Sequence, residues 1–212
     1  MSFREIPLSE YPRRAHFEYF TSLSNPFVGV TAEVDVTELK ELCKQRGWSF
    51  YLAFIDAAAR AADCVPALRQ RIHSGAIREY DACPTSHTEP LADGTYCYCT
   101  LRHDMPMDEY MEYAVFARKN AVERGTIEED EDSESAYFVS CIPWVSYTSL
   151  IQPTGGESNP HITWGKYFER GGRLIMPVSI LAHHALVDGI HIGKFYEKLN
   201  EMIEEETRCL KK

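Results

Sequence analysis

The C-terminal quarter constrains this chain of 212 residues more than any other part. Leu174-Ile175-Met176-Pro177-Val178-Ser179-Ile180-Leu181-Ala182 is apolar and long enough for a buried strand. It runs into His183-His184-Ala185-Leu186-Val187-Asp188-Gly189, and apolar residues at helical spacing follow from Ile192 to Ile203. Strand, turn and helix in that order place an imidazole at the rim of a sheet, within reach of a reacting hydroxyl. A neutral imidazole can remove a proton from an alcohol near pH 7, because its pKa lies close to the working pH. Asp188 could contact that imidazole directly, or hold the turn by pairing with a cation elsewhere, and the spacing does not choose. The plain alternative is a satisfied histidine at a strand end, with Asp188 capping the next helix.

Hydrophobic residues are 44% and charged residues 25% of the chain, as in ordinary soluble globular proteins. The length suits a single domain spanning residues 1–212 with a substantial core. A net charge of −10 argues against nucleic-acid binding, which needs clustered Lys and Arg. No apolar stretch approaches a membrane span, and Met-Ser-Phe-Arg-Glu-Ile-Pro at the start is not a signal peptide. The seven cysteines form no regular framework, and Cys97-Tyr98-Cys99 does not fit a CxxC zinc or redox motif. Reduced thiols in a cytoplasm are the expectation.

Along the chain, Ser9 to Phe20 reads as an aromatic helix with Pro12 at its start, and Phe27–Val34 as a strand. Asp35-Val36-Thr37-Glu38 has capping-box spacing for a helix that ends at Gly47. Trp48 to Asp63 is an alanine-rich helix that stops before Pro66, and Arg69 to Tyr80 is a hairpin around Ser74-Gly75. Asp81 to Gly94 reads as a loop, Thr95–Leu101 as a strand and Met107 to Gly125 as a helix. Glu128-Glu129-Asp130-Glu131-Asp132 reads as a solvated acidic loop with no histidine nearby to make it a metal site. Ala136–Ser149 reads as two strands joined through Pro143, and Ile162–Phe168 as a strand on an exposed edge.

Residues 183–189 resemble the HHxxxDG signature of CoA-dependent acyltransferases, and further blocks in the same order narrow the resemblance. Arg13, His16, Phe17 and Phe20 fit W-x-R-x-x-H-F-x-x-F, with Tyr11 in place of the Trp. Phe50, Tyr51, Ala53, Phe54 and Ile55 fit F-Y-P-A-F-I, with Leu52 in place of the Pro. Ala136–Ser149 is similar to F-F-V-S-x-x-P-W-V-S-F-T-S, and Ile162–Phe168 to F-T-M-G-K-Y-Y. By these blocks the chain is identified as a member of the chloramphenicol acetyltransferase family. The related dihydrolipoamide acyltransferase cores lack the P-W-V-S-x-T-S block.

The resemblance implies an α/β chain, a two-layer α+β sandwich in which a large mixed β-sheet carries helices on one face: the CoA-dependent acyltransferase fold. It implies direct transfer of acetyl from acetyl-CoA to a hydroxyl of chloramphenicol, with acetyl-CoA as co-substrate, no tightly bound cofactor and no metal. His184 would be the general base, its second ring nitrogen bonded to its own main-chain carbonyl. Ser140 would steady the oxyanion and Thr163 would hold a water against the transition state. Arg13 would pair with Asp188 to fix the turn. Tyr51 would lie by the pantetheine arm, Trp144 and Tyr167 near CoA, and Lys166 beside its nucleotide. Phe20, Phe27 and Tyr96 would line the acceptor pocket. A homotrimer with sites at the subunit interfaces is implied as well.

Other readings stand beside it. A serine hydrolase could use Ser140, His184 and Asp188, but no G-x-S-x-G elbow surrounds Ser140. A metal could be held by His183, His184, Asp188 and His191, although adjacent strand residues point to opposite faces. A homologue that binds CoA or a ligand without turnover is the non-enzymatic reading. Within the family, a different small hydroxylated acceptor is the alternative. Pro26 stands where better-known members carry a pocket cysteine, and residues 81–105 do not align beyond their strand.

Overall fold

The computed structural model describes residues 2–128 and 131–211. Its strands are β1 (Phe3–Ile6), β2 (Phe27–Asp35), β3 (Gln70–His73), β4 (Ala76–Tyr80), β5 (Thr85–Pro90), β6 (Tyr96–Leu101), β7 (Tyr137–Ile142), β8 (His161–Gly165), β9 (Phe168–Arg170) and β10 (Arg173–His183). Its helices are α1 (Arg14–Thr21), α2 (Thr37–Arg46), α3 (Phe50–Asp63), α4 (Met107–Arg124) and α5 (Gly189–Thr207).

The apolar run of the sequence is β10, the spine of a seven-stranded sheet in the order β2-β10-β8-β7-β5-β6, with β9 also paired to β10. β7 runs parallel to β8 and β5, and the other pairings are antiparallel, so the sheet is mixed. Strand alternation sorts its two faces. Met176, Val178, Ile180 and Ala182 of β10 join the core beneath the helices. Ser179 points the other way, beside Thr31 of β2 at 2.7 Å. The large mixed sheet with helices on one face is therefore the fold that the resemblance implied. α3 is the most buried helix: Ala53, Ala57, Ala58, Ala61 and Ala62 are buried, and small side chains let the backbone of α5 pack close against it. Ser49 caps it, accepting from the Leu52 amide.

The hairpin around Ser74-Gly75 forms as β3 and β4, with φ of 49° and 80° at the two turn residues, and β1 adds a third strand. Gly47 and Gly125 end α2 and α4 in the left-handed region, at φ 70° and 60°.

Several local readings of the sequence need correction. α2 has no capping box: Val36 is its N-cap. Asp35 is the last residue of β2, and its Oδ1 accepts from the Thr37 amide and hydroxyl at 3.0 and 2.6 Å. Its Oδ2 faces Arg173 at 2.7 Å. Residues 85–90, read as loop, form β5, an internal strand between β6 and β7. Thr-Ser-His-Thr-Glu-Pro hid it, because its buried face is polar, with the Glu89 carboxylate held by His87 and Arg118. β8 lies between β7 and β10 rather than at an edge. After β7 the chain turns at Pro143 and Trp144 and forms no second strand; it runs over the open face of the sheet, where the Tyr147 hydroxyl donates to the Thr163 carbonyl at 2.9 Å. Of the acidic run, Glu129 and Asp130 lie outside the described residues, and Glu131–Glu134 is a short 3-10 turn.

Candidate active site

β10 delivers His183 and His184 to the end of the sheet, where the chain curls so tightly that the amides of Leu186 and Val187 both donate to the His183 carbonyl at 3.0 Å. The same curl brings the Val187 carbonyl within 2.9 Å of His184 Nδ1. A carbonyl can only accept, so Nδ1 carries a proton, and in the neutral ring the lone pair lies on Nε2. This corrects the expected orienting contact. His184's own carbonyl receives Arg13 Nη2 at 3.3 Å and is not the acceptor for the ring. The His184 amide is held by the Pro26 carbonyl at 2.7 Å, and Phe20 stacks flat on the imidazole, centroids 3.8 Å apart at 14°.

Arg13, just before α1, ties the turn together. Its Nη1 donates to the Leu186 carbonyl at 2.5 Å and its Nη2 meets Asp188 Oδ1 at 2.8 Å. Asp188 fills both roles that the sequence left open. It pairs with Arg13, it approaches His184 Nδ1 at 3.3 Å, and it is the N-cap of α5. Its amide donates to His191 Nδ1 at 2.9 Å, and burial holds the His191 ring below the usual histidine pKa. His183 faces the opposite way, as strand geometry requires. It is buried, its Nδ1 accepts from the Ala185 amide, and Phe27 meets it edge-on at 5.4 Å. Burial, and then the neighbouring His184, push its pKa down to about 4, so it is neutral near pH 7.

Ser140 and Thr163 stand elsewhere on the sheet. The strand registers pair Ser140 with Thr163, Thr163 with Ser179 and Ser179 with Thr31, so a row of hydroxyl residues crosses four strands on one face. Thr163 is buried, and its hydroxyl donates to Gln152 at 3.1 Å. His183 lies four residues beyond Ser179 on β10, opposite Phe27. At the usual strand rise and spacing that is ~14 Å along the strand and ~10 Å across to β7, so the His184 end of β10 sits roughly 17 Å from Ser140. Ser140, His184 and Asp188 therefore form no hydrolytic triad within one chain. Among the described residues, no cluster of three His, Cys, Asp or Glu side chains could hold a metal ion.

Tyr51, Trp144, Lys166 and Tyr167 line one cleft of about 730 Å³. Trp164 forms a wall, edge-on to Phe54 at 4.8 Å and 5.7 Å from Tyr51. Trp144 is 80% exposed at the mouth. Gly165 lets the segment after β7 close onto β8: an added Cβ there would sit 2.7 Å from the Val145 carbonyl. Tyr96 also lines this cleft, so it is not beside Phe20 and Phe27 in the chain. Burial raises the Tyr51 phenol and pushes the Cys141 thiol in the cleft wall up to about 11, so neither is ionised near pH 7.

The family model described as chloramphenicol acetyltransferase matches residues 1–202. The chain belongs to the chloramphenicol acetyltransferase family. It is accordingly an acyltransferase. A chloramphenicol acetyltransferase of Klebsiella sp is 28% identical over 211 residues, covering 94% of this chain and 93% of that protein. One from Staphylococcus aureus is 28% identical over 219 residues, covering 99% of this chain and all (100%) of that protein. Among solved structures, a chloramphenicol acetyltransferase superposes with a TM-score of 0.83 at 24% identity, covering 95% of this chain and 100% of that one. The dihydrolipoamide acetyltransferase of Azotobacter vinelandii shares the fold, with a TM-score of 0.68 at 16% identity over 92% of this chain and 88% of that one.

For this member of the chloramphenicol acetyltransferase family, the turn can present a base and the cleft can enclose an elongated, partly apolar ligand. Among the cleft residues outside the motif blocks is a charged pair, Glu89 on β5 and Arg118 on α4. Arg118 Nε and Nη2 donate to Glu89 Oε1 and Oε2 at 2.5 and 2.7 Å. The Thr-Ser-His-Thr-Glu alternation, with His and Glu two residues apart, was the available signal; both His87 and Glu89 face inward.

Proposed function

We propose that this acyltransferase transfers acetyl from acetyl-CoA to a hydroxyl of chloramphenicol, by direct attack without an acyl-enzyme. The observation that carries the reading is the imidazole of His184, oriented through Nδ1 with Nε2 free at the rim of the sheet. Nε2 takes the hydroxyl proton as the acceptor oxygen attacks the thioester carbonyl. The oxyanion that forms accepts from the Ser140 hydroxyl, and Thr163 supports it through water. Collapse expels CoA thiolate, which regains the proton from His184. Arg13 and Asp188 hold the turn and take no proton. The cleft of Tyr51, Trp144, Lys166 and Tyr167 accommodates CoA, which is a co-substrate and not a resident cofactor.

A homotrimer completes the site. Within one chain the base and the oxyanion donor are roughly 17 Å apart by strand geometry, too far to share one tetrahedral carbon. In the assembly His184 of one copy faces Ser140 and Thr163 of the next, and Phe20, Phe27 and Tyr96 form acceptor walls contributed by both copies. The cysteines among the described residues are free thiols, in keeping with a reducing cytoplasm as the site of action. No described helix is long and apolar enough to cross a membrane. The whole of residues 1–212 acts as one domain.

Release of free CoA thiol from acetyl-CoA, with chloramphenicol and with no acceptor, tests the reading. Release that depends on chloramphenicol is expected. Silence with chloramphenicol while other alcohols are acetylated would favour a different small hydroxylated acceptor, the reading to which Pro26 points. Thiol release without any acceptor would make the protein a thioesterase and overturn the transfer.

A further inference from the structure

Glu89 and Arg118 belong to none of the motif blocks that carry the resemblance, yet they line the cleft together. Glu89 is 3% exposed, and the guanidinium lies 5.6 Å from the Tyr51 ring centroid. Glu89 Oε1 accepts from His87 Nε2 at 3.0 Å as well as from Arg118. Such an ion pair adds little stability over an apolar pair of the same volume, because the Glu89 carboxylate loses its hydration while Arg118 stays only partly buried. The other walls here are largely aromatic: Phe50, Tyr51, Tyr96, Trp164 and Tyr167. A charged pair set among aromatic rings, in a cleft open to a ligand, therefore invites a functional account.

The hydrogen-bond inventory says what it can bind. Arg118 gives one N–H from Nε and one from Nη2 to Glu89, which leaves donors on Nη1 and Nη2. Glu89 Oε2 accepts from Arg118 alone and keeps an acceptor site. The pair thus presents a donor beside an acceptor with no net charge. A phosphate or carboxylate would meet Glu89 as well as Arg118, and an ammonium would meet Arg118 as well as Glu89. An amide matches both, since its carbonyl accepts and its N–H donates side by side.

We propose that Glu89 and Arg118 recognise an amide of the pantetheine arm of CoA, with His87 holding the carboxylate in place. The proposal rests on the reading that this cleft holds CoA. Tyr51 connects the two: its ring is the one that the Arg118 guanidinium approaches.

The double variant Glu89→Gln/Arg118→Met tests it. Gln keeps an acceptor for His87, and no buried charge is left unpaired, so the thermal midpoint should be nearly unchanged. Calorimetric titration with CoA should show Kd raised about ten- to a hundredfold, the loss expected for a charge-assisted hydrogen bond. In turnover, the unaltered chain should favour N,S-diacetylcysteamine, which carries an amide, over S-ethyl thioacetate, which does not, by about tenfold or more in kcat/KM. The double variant should lose that preference, with KM for the acceptor unchanged. Equal CoA affinity in both chains would overturn the proposal, as would a rise in acceptor KM with the donor unaffected. Failure of the unaltered chain to bind CoA would instead remove the reading beneath it. If the double variant does not fold, Arg118→Lys gives the same test, because lysine keeps the charge but loses the planar fork. It should raise KM for acetyl-CoA and leave kcat alone.

Discussion

His183 and His184 are neighbours with opposite surroundings, and that contrast yields two predictions. His184→Ala should lower kcat by at least about 10²–10⁴, the usual contribution of a positioned general base, while CoA still binds by calorimetry. Retention of a near-normal rate would remove His184 from the reaction. His183 acts on stability instead. Its folded pKa of about 4 lies below the ordinary histidine value of 6.5, so between those values the unfolded chain holds a proton that the folded chain does not. The stability linked to neutral His183 is present above pH 6.5 and is lost as the pH falls toward 4. Denaturant melts at a series of pH values should show His183→Asn, which keeps an acceptor for the Ala185 amide, losing up to about 3 kcal/mol less than the parent across that window. Parallel curves would show that His183 does not titrate with folding.

At the scale of elements, the decisive pieces are a turn and a helix. The turn between β10 and α5 is held from outside by Arg13, which spans the Leu186 carbonyl and the Asp188 carboxylate. Lysine cannot reach both with one planar group. Arg13→Lys should therefore lower kcat by about tenfold with KM little changed, since it disturbs the orientation of the base and not the cleft. A change confined to KM would place Arg13 in ligand binding. The helix is α3, where Asp56 is 1% exposed and Arg60 lies 3.6 Å from its carboxylate. Burial pushes its carboxyl up to about 6. Between the ordinary value of 3.8 and that value, the folded state keeps a proton that the unfolded state releases, so stability falls as the pH rises through the window. Asp56→Asn should raise stability above pH 6 by about 1–3 kcal/mol, measured by thermal melts at pH 5 and pH 8, with the gain larger at pH 8. Equal gains at both would assign the effect to packing.

The whole-molecule prediction follows from the sheet's register. If His184 of one copy works with Ser140 of another, His184→Ala and Ser140→Ala chains are each inactive alone but complement one another. Refolding them together in equal amounts should restore about a quarter of the parental sites, because each site then needs an intact donor from either side of one interface. No recovery would mean that both groups act from one chain, in a conformation that brings the strand end to β7.

Local chemistry made the turn legible from the sequence. His184, Asp188 and the helix after them are contiguous, so strand, cap and base are written within seventeen residues or so of chain. The apolar run of β10 and the alanines of α3 likewise carry their own burial. Tyr51, Trp144, Lys166 and Tyr167 could be assigned to one ligand through the resemblance, and the fold gathers them into one cleft. Only tertiary structure decided the rest. β5 is a strand because β6 and β7 flank it and because Arg118, from a helix 29 residues further on, satisfies Glu89. A polar strand has no apolar signature when its partners are distant in sequence. The acceptor for the His184 ring depended on how tightly residues 184–187 curl. The distance between base and oxyanion donor depended on register across β10, β8 and β7, a sum of long-range pairings that no local window contains.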